Sequence, residues 1–193
     1  MAEENSPEQS GEELSSSSFT VNCYEWMEAL IMALVFVLIF FVFVFRVHTV
    51  VGDSMLPNYQ GGYKVVVSCL ENHPVPGNVV VVDGGGTRLN ERIVKRVIAT
   101  EGQTVDIDFS TGVVSVDGKE LDESAYIENG ITKDQYDVSF PQKVPDGHVF
   151  VLGDNRVVSD DSRSSDVGMI DEKYIIGTVR LILYPFSEFR FVG

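Results

Sequence analysis

The sequence predicts a mainly β domain, barrel-like or sandwich-like, preceded by one N-terminal transmembrane α-helix. Seventeen consecutive apolar residues run from Ala29 to Phe45, which indicates a helix in lipid. After Arg46, short stretches rich in β-branched and aromatic residues alternate with glycine-containing turns, as in all-β folds. No long segment in this second part shows helical periodicity. At 193 residues, the chain has room for one compact domain beyond the helix.

The membrane span is predicted for residues 24–46. The apolar run together with Trp26 and Met27 gives about 20 residues, which at about 1.5 Å per residue matches a hydrocarbon core about 30 Å thick. A cleaved signal peptide is the alternative, but the run is longer than the usual ~7–15 residues and no positive charge precedes it. A soluble core helix is disfavoured because apolar side chains occupy every face of the helix.

Composition and charge exclude several classes of partner. The net charge is −15, and no basic stripe is present, which argues against a nucleic-acid partner. The acidic, Ser-rich tail, residues 1–23, is predicted to be disordered because it cannot bury apolar surface. Cys23 and Cys69 lie on opposite sides of the predicted span, so no disulfide is expected. The histidines and cysteines show no metal-ligand spacing, and the sequence predicts neither a metal nor a cofactor.

Residues 47–193 are predicted to form the β-rich domain. Within it, residues 108–142 are more polar and irregular, which indicates a small insert lobe. A hairpin is predicted at Val113–Leu121, because Asp117-Gly118 separates its two halves. The predicted strands are Val47–Val51, Tyr63–Val67, Val79–Asp83, Arg92–Ala99, Thr104–Ile107, Val113–Val116, Val149–Leu152 and Ile175–Tyr184.

A serine follows the predicted span closely, in the motif Gly52-Asp53-Ser54-Met55-Leu56-Pro57. A serine at a strand end, between a glycine and a proline, exposes its hydroxyl and leaves main-chain N–H groups free, which suits a nucleophile. The short connection from Arg46 would keep Ser54 close to a lipid surface. An ordinary polar turn is the alternative interpretation of this motif taken alone.

A lysine lies within a predicted strand, in the segment Glu91–Ile98. On a strand, Ile93, Lys95 and Val97 share one face. Burial between two β-branched side chains would lower the pKa of the lysine from about 10.4 and give a neutral amine. A neutral amine can accept a proton from a serine hydroxyl. A lysine at an edge strand, extending its amine to solvent, is the alternative.

A third motif, Gly153-Asp154-Asn155-Arg156-Val157-Val158-Ser159-Asp160-Asp161-Ser162-Arg163, follows an apolar strand and is too polar to continue it. A solvated loop is the alternative. In this order, the three motifs resemble those of bacterial type I signal peptidases. The resemblance extends from about Tyr24 to Gly193 and includes Pro185-Phe186.

The resemblance implies a Ser-Lys dyad in which Ser54 is the nucleophile and Lys95 the general base. Ser159 would donate a hydrogen bond to the lysine amine and orient it. The main-chain N–H of Ser54 would hold the oxyanion, a donor whose removal typically costs about 2.7–4 kcal/mol. The resemblance also assigns supporting residues: Asp161 and Arg163 as an ion pair beside the site, Asp154 as the partner of Arg96, and Met55 as part of the substrate cleft.

Several positions depart from the family pattern. Gly52 stands where some relatives have a hydroxyl residue that supplies a second oxyanion donor. Asn58 replaces the usual Thr, and Thr100–Gln103 stands where Leu-Pro-Gly-Asp is common, which puts the turn after Lys95 in doubt. The presence of Lys95 disfavours the Ser-His version of the endoplasmic-reticulum relatives.

The resemblance implies a membrane-bound serine endopeptidase that removes N-terminal signal peptides from secreted preproteins. Its substrates would carry small residues at positions −1 and −3, and its surroundings would include the lipid bilayer and the secretion translocon. An extended peptide could pair with strand edges near residues 48–53 and near Lys95. A membrane-anchored β-rich scaffold with an inactive site is the alternative. A soluble self-cleaving Ser-Lys protease is disfavoured because it would lack a span.

Charge bias and resemblance give opposite orientations in the membrane. Arg46 and Lys64 follow the span and no basic residue precedes it, which favours a cytoplasmic β domain. The resemblance implies a single-pass plasma-membrane protein with a cytoplasmic N-terminus and an extracytoplasmic catalytic domain. We adopt the second orientation, because the bias rests on few charges and cleavage takes place on the outer side.

Overall fold

The computed structural model describes residues 9–70, 73–127 and 132–192, with side chains from Asn22 onward. In this part of the chain, one long α-helix precedes twelve β-strands. The strands form two antiparallel sheets, which confirms the predicted fold class. The chain divides into two compact units, residues 1–43 and residues 44–193. The helix and the β domain are therefore described separately.

The helix α1 spans Gln9–Val44. Its segment Asn22–Val44 has a mean hydropathy of 2.9 and is long and apolar enough to cross a membrane. The structure describes residues 9–23, part of the tail predicted to be disordered, as helical, and residues 1–8 lie outside the described residues. Two effects account for the longer helix: extending an existing helix is easy, and acidic residues such as Glu12 are favourable near a helix N-terminus.

The larger sheet has eight strands in the order β1-β2-β11-β3-β4-β9-β10, with β12 paired to β11. Strand β11 is the longest, and it joins the pair β1-β2 to the pair β3-β4. These strands are β1 (Phe45–Thr49), β2 (Lys64–Ser68), β3 (Val79–Val82), β4 (Ile93–Thr100), β9 (His148–Leu152), β10 (Ile170–Asp171), β11 (Ile175–Tyr184) and β12 (Arg190–Phe191).

The smaller sheet has the strand order β7-β6-β5-β8. The predicted hairpin is confirmed, with Val116 paired to Lys119 across Asp117-Gly118. Both turn residues have positive φ, at 52° and 74°, as a two-residue hairpin turn of type I′ requires. The predicted insert, residues 108–142, contributes β6 and β7. The strands are β5 (Thr104–Asp108), β6 (Val113–Val116), β7 (Lys119–Glu120) and β8 (Gln142–Lys143).

All predicted strands are present, with ends shifted by at most two residues. The strand after the helix begins at Phe45, so this residue and Arg46 belong to β1 and not to the helix. The sequence did not reveal β8, β10 and β12, which have two residues each. A strand of two residues is too short to show an alternating pattern in the sequence. Such a strand forms because it can hydrogen-bond to a longer neighbouring strand.

Buried apolar side chains form three clusters in the β domain. One cluster contains Met55 and Tyr59, which follow Ser54 and pack with valines of β2, β3 and β4 and with Ile182 of β11. The second cluster packs β3, β4 and β9 together, and the third joins the two sheets through residues such as Phe150. The segment that carries Ser54 is thereby anchored in the core.

Gly177 of β11 is predicted to be intolerant of any side chain. A Cβ added there would lie 2.1 Å from the carbonyl oxygen of Ser68 in β2. Gly177→Ala should force these central strands apart and lower the free energy of unfolding by about 1–3 kcal/mol, measured by denaturant titration in detergent. Gly85→Ala is the control, because its nearest neighbour is a side-chain atom of Tyr174 at 3.4 Å. Equal stability of the two variants would contradict this account of the sheet.

Candidate active site

Ser54 lies in a tight turn after β1, which we call the serine turn (residues 52–56). Gly52 has φ +76°, a conformation that glycine adopts readily. Asn155 holds the turn from the other side: its main-chain N–H donates to the Ser54 carbonyl at 2.9 Å, and its side-chain amide donates to the Asp53 carbonyl at 3.1 Å. The Ser54 main-chain N–H finds no acceptor among the described residues. The turn is thus fixed while one donor stays free.

The structure brings Lys95 of β4 to Ser54. The Lys95 Nζ atom donates a hydrogen bond to the Ser54 Oγ atom at 2.7 Å. Lys95 is only 3% exposed, and its neighbours on the same face of β4, Ile93 and Val97, are buried as well. The alternation of β4 therefore directs the amine into the protein and away from solvent.

Burial lowers the pKa of Lys95 from 10.5 to about 8. Removal of the ammonium from water is the largest cause, because a charged group loses more solvation than a neutral one. The nearby carboxylates of Asp161, Asp160 and Glu91 act in the opposite direction, and Arg163 lowers the pKa further. A substantial fraction of the amine is neutral at mildly alkaline pH and can accept a proton.

Asp161 and Arg163 form a fully buried ion pair beside the dyad. The Arg163 guanidinium donates to both carboxylate oxygens, at 2.8 and 2.9 Å. Its remaining N–H groups donate to the carbonyls of Asp134 and Arg156, so both charges are well satisfied. Asp161 also accepts the main-chain N–H of Gly153 at 3.1 Å. The third sequence motif forms a loop, which we call the polar loop (residues 153–163). The hydrogen bonds of this ion pair hold the loop around the Asp161 carboxylate.

Asp154 and Arg96 form the second expected ion pair. Two parallel N–H···O contacts of 2.7 Å join the guanidinium to the carboxylate. Arg96 also donates to the Gly77 carbonyl at 2.9 Å and lies over the ring of Tyr126, with the guanidinium carbon 4.2 Å from the centroid. Because Arg96 follows Lys95 in β4, this pair ties the polar loop to the strand that carries the lysine.

Ser159 is buried beside the dyad, but the predicted hydrogen bond to Lys95 is not formed. Its Oγ atom has no hydrogen-bond partner among the described residues. A Cβ on Gly153 would lie 2.2 Å from this oxygen and 2.5 Å from the Ser54 carbonyl oxygen, so the three residues are tightly packed. The hydroxyl lies close to the serine turn, and the lysine amine donates to Ser54 instead.

The role of Met55 in lining the substrate cleft stays a prediction, and the structure places this residue in the core. Its side chain is 1% exposed and packs in the core with Tyr59 and Val50. In the serine turn, the side chain of Ser54 faces the groove and the next side chain, Met55, faces the core. Leu56 lines the groove in place of Met55.

A groove of about 800 Å³ leads to the dyad. One wall consists of the chain from β1 through the serine turn, and the other consists of the beginning of β4 with part of the polar loop. The lining residues are Val51, Gly52, Asp53, Ser54, Leu56, Leu89, Glu91, Arg92, Ile93, Val94, Lys95, Asn155, Val158 and Asp160.

Four residues with contacts around the site were not singled out from the sequence: Asn155, Arg156, Glu123 and Tyr126. Asn155 and Arg156 lie within the third motif, so their position was a usable signal. Glu123 and Tyr126 lie in the insert and carry no pattern that distinguishes them from surface residues. Among the described residues, no group of three His, Cys, Asp or Glu side chains is arranged to hold a metal ion.

Comparison with known proteins agrees with the geometry. The model of the family described as "Signal peptidase, peptidase S26" matches residues 23–184. The chain belongs to the signal peptidase family. The predicted resemblance is thereby confirmed, and membership of this signal peptidase family makes the chain a serine peptidase.

Individual signal peptidases show the extent of the similarity. Signal peptidase I of Bacillus licheniformis is 34% identical over 175 residues, which covers 86% of this chain and 91% of that protein. Signal peptidase I T of Bacillus subtilis strain 168 is 33% identical over 174 residues, with coverages of 86% and 88%. The crystal structure of a signal peptidase I from Enterococcus faecalis V583 is 28% identical, has a TM-score of 0.43, and covers 55% of this chain and 96% of that chain.

The buried amine is expected to cost this signal peptidase stability. The folded pKa of Lys95 is about 8 against 10.5 for a free lysine, so the unfolded state binds more protons between these values. Stability therefore rises with pH from about 8 to about 10.5, and at pH 7 the full cost of about 3 kcal/mol applies. Lys95→Met should unfold at higher denaturant concentration than wild type at pH 7, by up to that free energy.

The control for this stability measurement is Lys143→Met, an exposed lysine of β8, which should leave the unfolding midpoint unchanged. Measurements at pH 7 and pH 10 separate charge from packing, because only the charge contribution becomes much smaller, to roughly a quarter, at the higher pH. A Lys95→Met variant with the same stability gap at both pH values would contradict the burial argument.

Proposed function

We propose that this chain is a membrane-anchored serine endopeptidase that cleaves signal peptides from preproteins with a Ser54-Lys95 dyad. The observation that carries the proposal is the 2.7 Å contact between the Lys95 amine and the Ser54 hydroxyl, made by a buried lysine at the end of an open groove. Family membership supports signal-peptide cleavage as the reaction.

The dyad performs acyl transfer in two stages. The neutral Lys95 amine accepts the hydroxyl proton while Ser54 Oγ attacks the scissile carbonyl carbon, which gives a tetrahedral oxyanion. The free main-chain N–H of Ser54 donates to that oxygen. The resulting ammonium then donates its proton to the leaving amine, the C–N bond breaks, and an acyl-enzyme remains. Water, deprotonated by the same amine, hydrolyses the ester and releases Ser54.

The groove offers two free strand edges to an extended peptide. Val97 exchanges main-chain hydrogen bonds with Asn78 and Gly77 on the β3 side. Because hydrogen-bonding direction alternates along an antiparallel strand, Val94 presents its N–H and C=O to the groove. The same alternation applies to Val51, since Val50 is the residue that bonds to the β2 side. A peptide between these edges would be held by its main chain, with side chains at alternate positions facing the walls.

The preference for small residues at positions −1 and −3 comes from the family resemblance and fits an alternating side-chain arrangement. The apolar segment Asn22–Val44 would anchor the enzyme in a single pass. We place the N-terminus in the cytoplasm and the β domain on the extracytoplasmic side of the plasma membrane, close to the secretion translocon. Anchoring would hold the groove at the lipid surface where cleavage sites emerge, so proximity contributes to the rate.

A membrane-anchored scaffold with an inactive site is the competing function. In the inactive case, at least one member of the dyad would be missing or displaced. Both residues are present and in contact, and the lysine is buried at a cost in stability that a binding protein has no reason to maintain. The competing function therefore has no observation of its own in its favour.

Cleavage of a preprotein by the purified full-length protein in detergent tests the proposal. Ser54→Ala and Lys95→Ala should each lower kcat by at least about a thousandfold, because neither water nor another side chain replaces the nucleophile or the base. Ser187→Ala and Lys143→Ala, at exposed positions, should retain wild-type rates. Retained cleavage by Lys95→Ala would rule out the lysine as the base, and an inactive wild type would favour the scaffold.

The rate should depend on pH through the Lys95 amine. Only the neutral amine accepts the serine proton, so kcat/KM should increase about tenfold per pH unit below about 8 and level off above it. Steady-state cleavage of a peptide without titratable side chains between pH 6 and 10 measures this. Circular dichroism at each pH verifies that the protein stays folded. A flat profile from pH 6 to 9 would exclude an amine base with this pKa.

A further inference from the structure

A third ion pair, also buried, lies between Glu123 and Arg156. Glu123 belongs to the linking segment (residues 121–127), which follows β7, and Arg156 belongs to the polar loop. The guanidinium contacts both carboxylate oxygens, with Nη1 3.0 Å from Oε2. The Tyr126 hydroxyl donates to Glu123 Oε1 at 3.1 Å, and Thr132 accepts from Arg156 Nη1. Both side chains are at most 8% exposed, so neither charge relies on water.

Arg156 connects Glu123 to the part of the polar loop that contacts the serine turn. Its Nε atom donates to the Gly153 carbonyl at 3.0 Å. Two residues further along, Asn155 donates its N–H to the Ser54 carbonyl at 2.9 Å. Gly153 itself approaches the serine turn so closely that a Cβ there would be 2.5 Å from the Ser54 carbonyl oxygen. A shift of Gly153 would therefore shift the serine turn.

The linking segment also contacts the strand of the base. The Tyr126 ring lies against the Arg96 guanidinium, and the Tyr126 carbonyl accepts a hydrogen bond from Asn58 Nδ2 at 2.6 Å. The same Asn58 nitrogen donates to Asp154 at 2.8 Å, and Asp154 is the partner of Arg96. One short segment of the insert thus holds both the polar loop and β4.

We propose that Glu123 and Arg156 are positioning residues: they fix Gly153, and through it the Ser54 hydroxyl relative to the Lys95 amine. Neither side chain lines the groove, so neither is placed to touch a substrate. Stability alone does not account for them, because an apolar pair of similar volume is often as stable as a buried ion pair. The proposal rests on the proposed Ser-Lys reaction.

Arg156→Lys tests the proposal most directly. Lysine keeps a buried positive charge for Glu123 but loses the Nε donor that reaches Gly153. In full-length protein cleaving a preprotein in detergent, kcat should fall at least tenfold while KM changes less than twofold. The acid limb of the pH profile should move to higher pH, because a loosened serine turn admits water to the Lys95 amine. Wild-type cleavage that Ser54→Ala abolishes is established first, so this test bears on positioning alone.

A second variant, Glu123→Leu/Arg156→Met, removes both charges together. It should melt at or above the wild-type temperature and show the same loss of kcat and the same displacement of the acid limb. The control is Asp171→Asn/Lys173→Met, which removes an exposed ion pair and should keep wild-type kinetics. Wild-type kcat with an unmoved acid limb in Arg156→Lys, or in a stably folded double variant, would overturn the proposal. If the double variant does not fold, the Arg156→Lys result decides.

Discussion

The burial of one lysine amine against one serine hydroxyl is the constraint on which the site depends. A lysine in water carries a proton at neutral pH and cannot act as a base. In β4, the amine is withdrawn from water, and this loss of solvation is the largest cause of the fall in its pKa to about 8. Loss of solvation is what makes the amine available as a base. The contacts that keep water away from Lys95 are therefore also needed for the proposed chemistry.

The ion pairs around the dyad explain how such a site holds its shape. Two ion pairs, Asp154 with Arg96 and Asp161 with Arg163, organise the polar loop without lining the groove themselves. Each arginine also donates to main-chain carbonyls, which gives an irregular loop the hydrogen bonds that a strand would obtain from its neighbours. The loop can therefore run through the interior and still present Asn155 to the serine turn.

Local patterns predicted the long elements and singled out the two residues of the proposed dyad, which the structure brings into contact. The apolar run and the β-branched stretches identified α1 and the main strands, because each signal lies within a few consecutive residues. Alternation placed Lys95 on a buried face, and the motif order identified Ser54 as its partner. The resemblance supplied the two ion pairs, Asp161 with Arg163 and Asp154 with Arg96, which the structure forms.

Features that depend on tertiary contacts could not be predicted in the same way. The direction of Met55 depends on how the serine turn meets the core, and whether the Ser159 hydroxyl reaches Lys95 depends on small differences in packing. Glu123 and Arg156 form an ion pair although they are 33 positions apart in the sequence, and no local pattern around Glu123 predicts this contact.

The strand order also has a consequence for the growing polypeptide. Ser54 follows β1 and Lys95 lies in β4, yet β11, near the end of the chain, is the strand that stands between their two halves of the sheet. A chain that ends before Ile175 lacks the strand that pairs with both β2 and β3. The main-chain hydrogen bonds that join the two halves of this sheet can therefore form only after most of the chain has been synthesised.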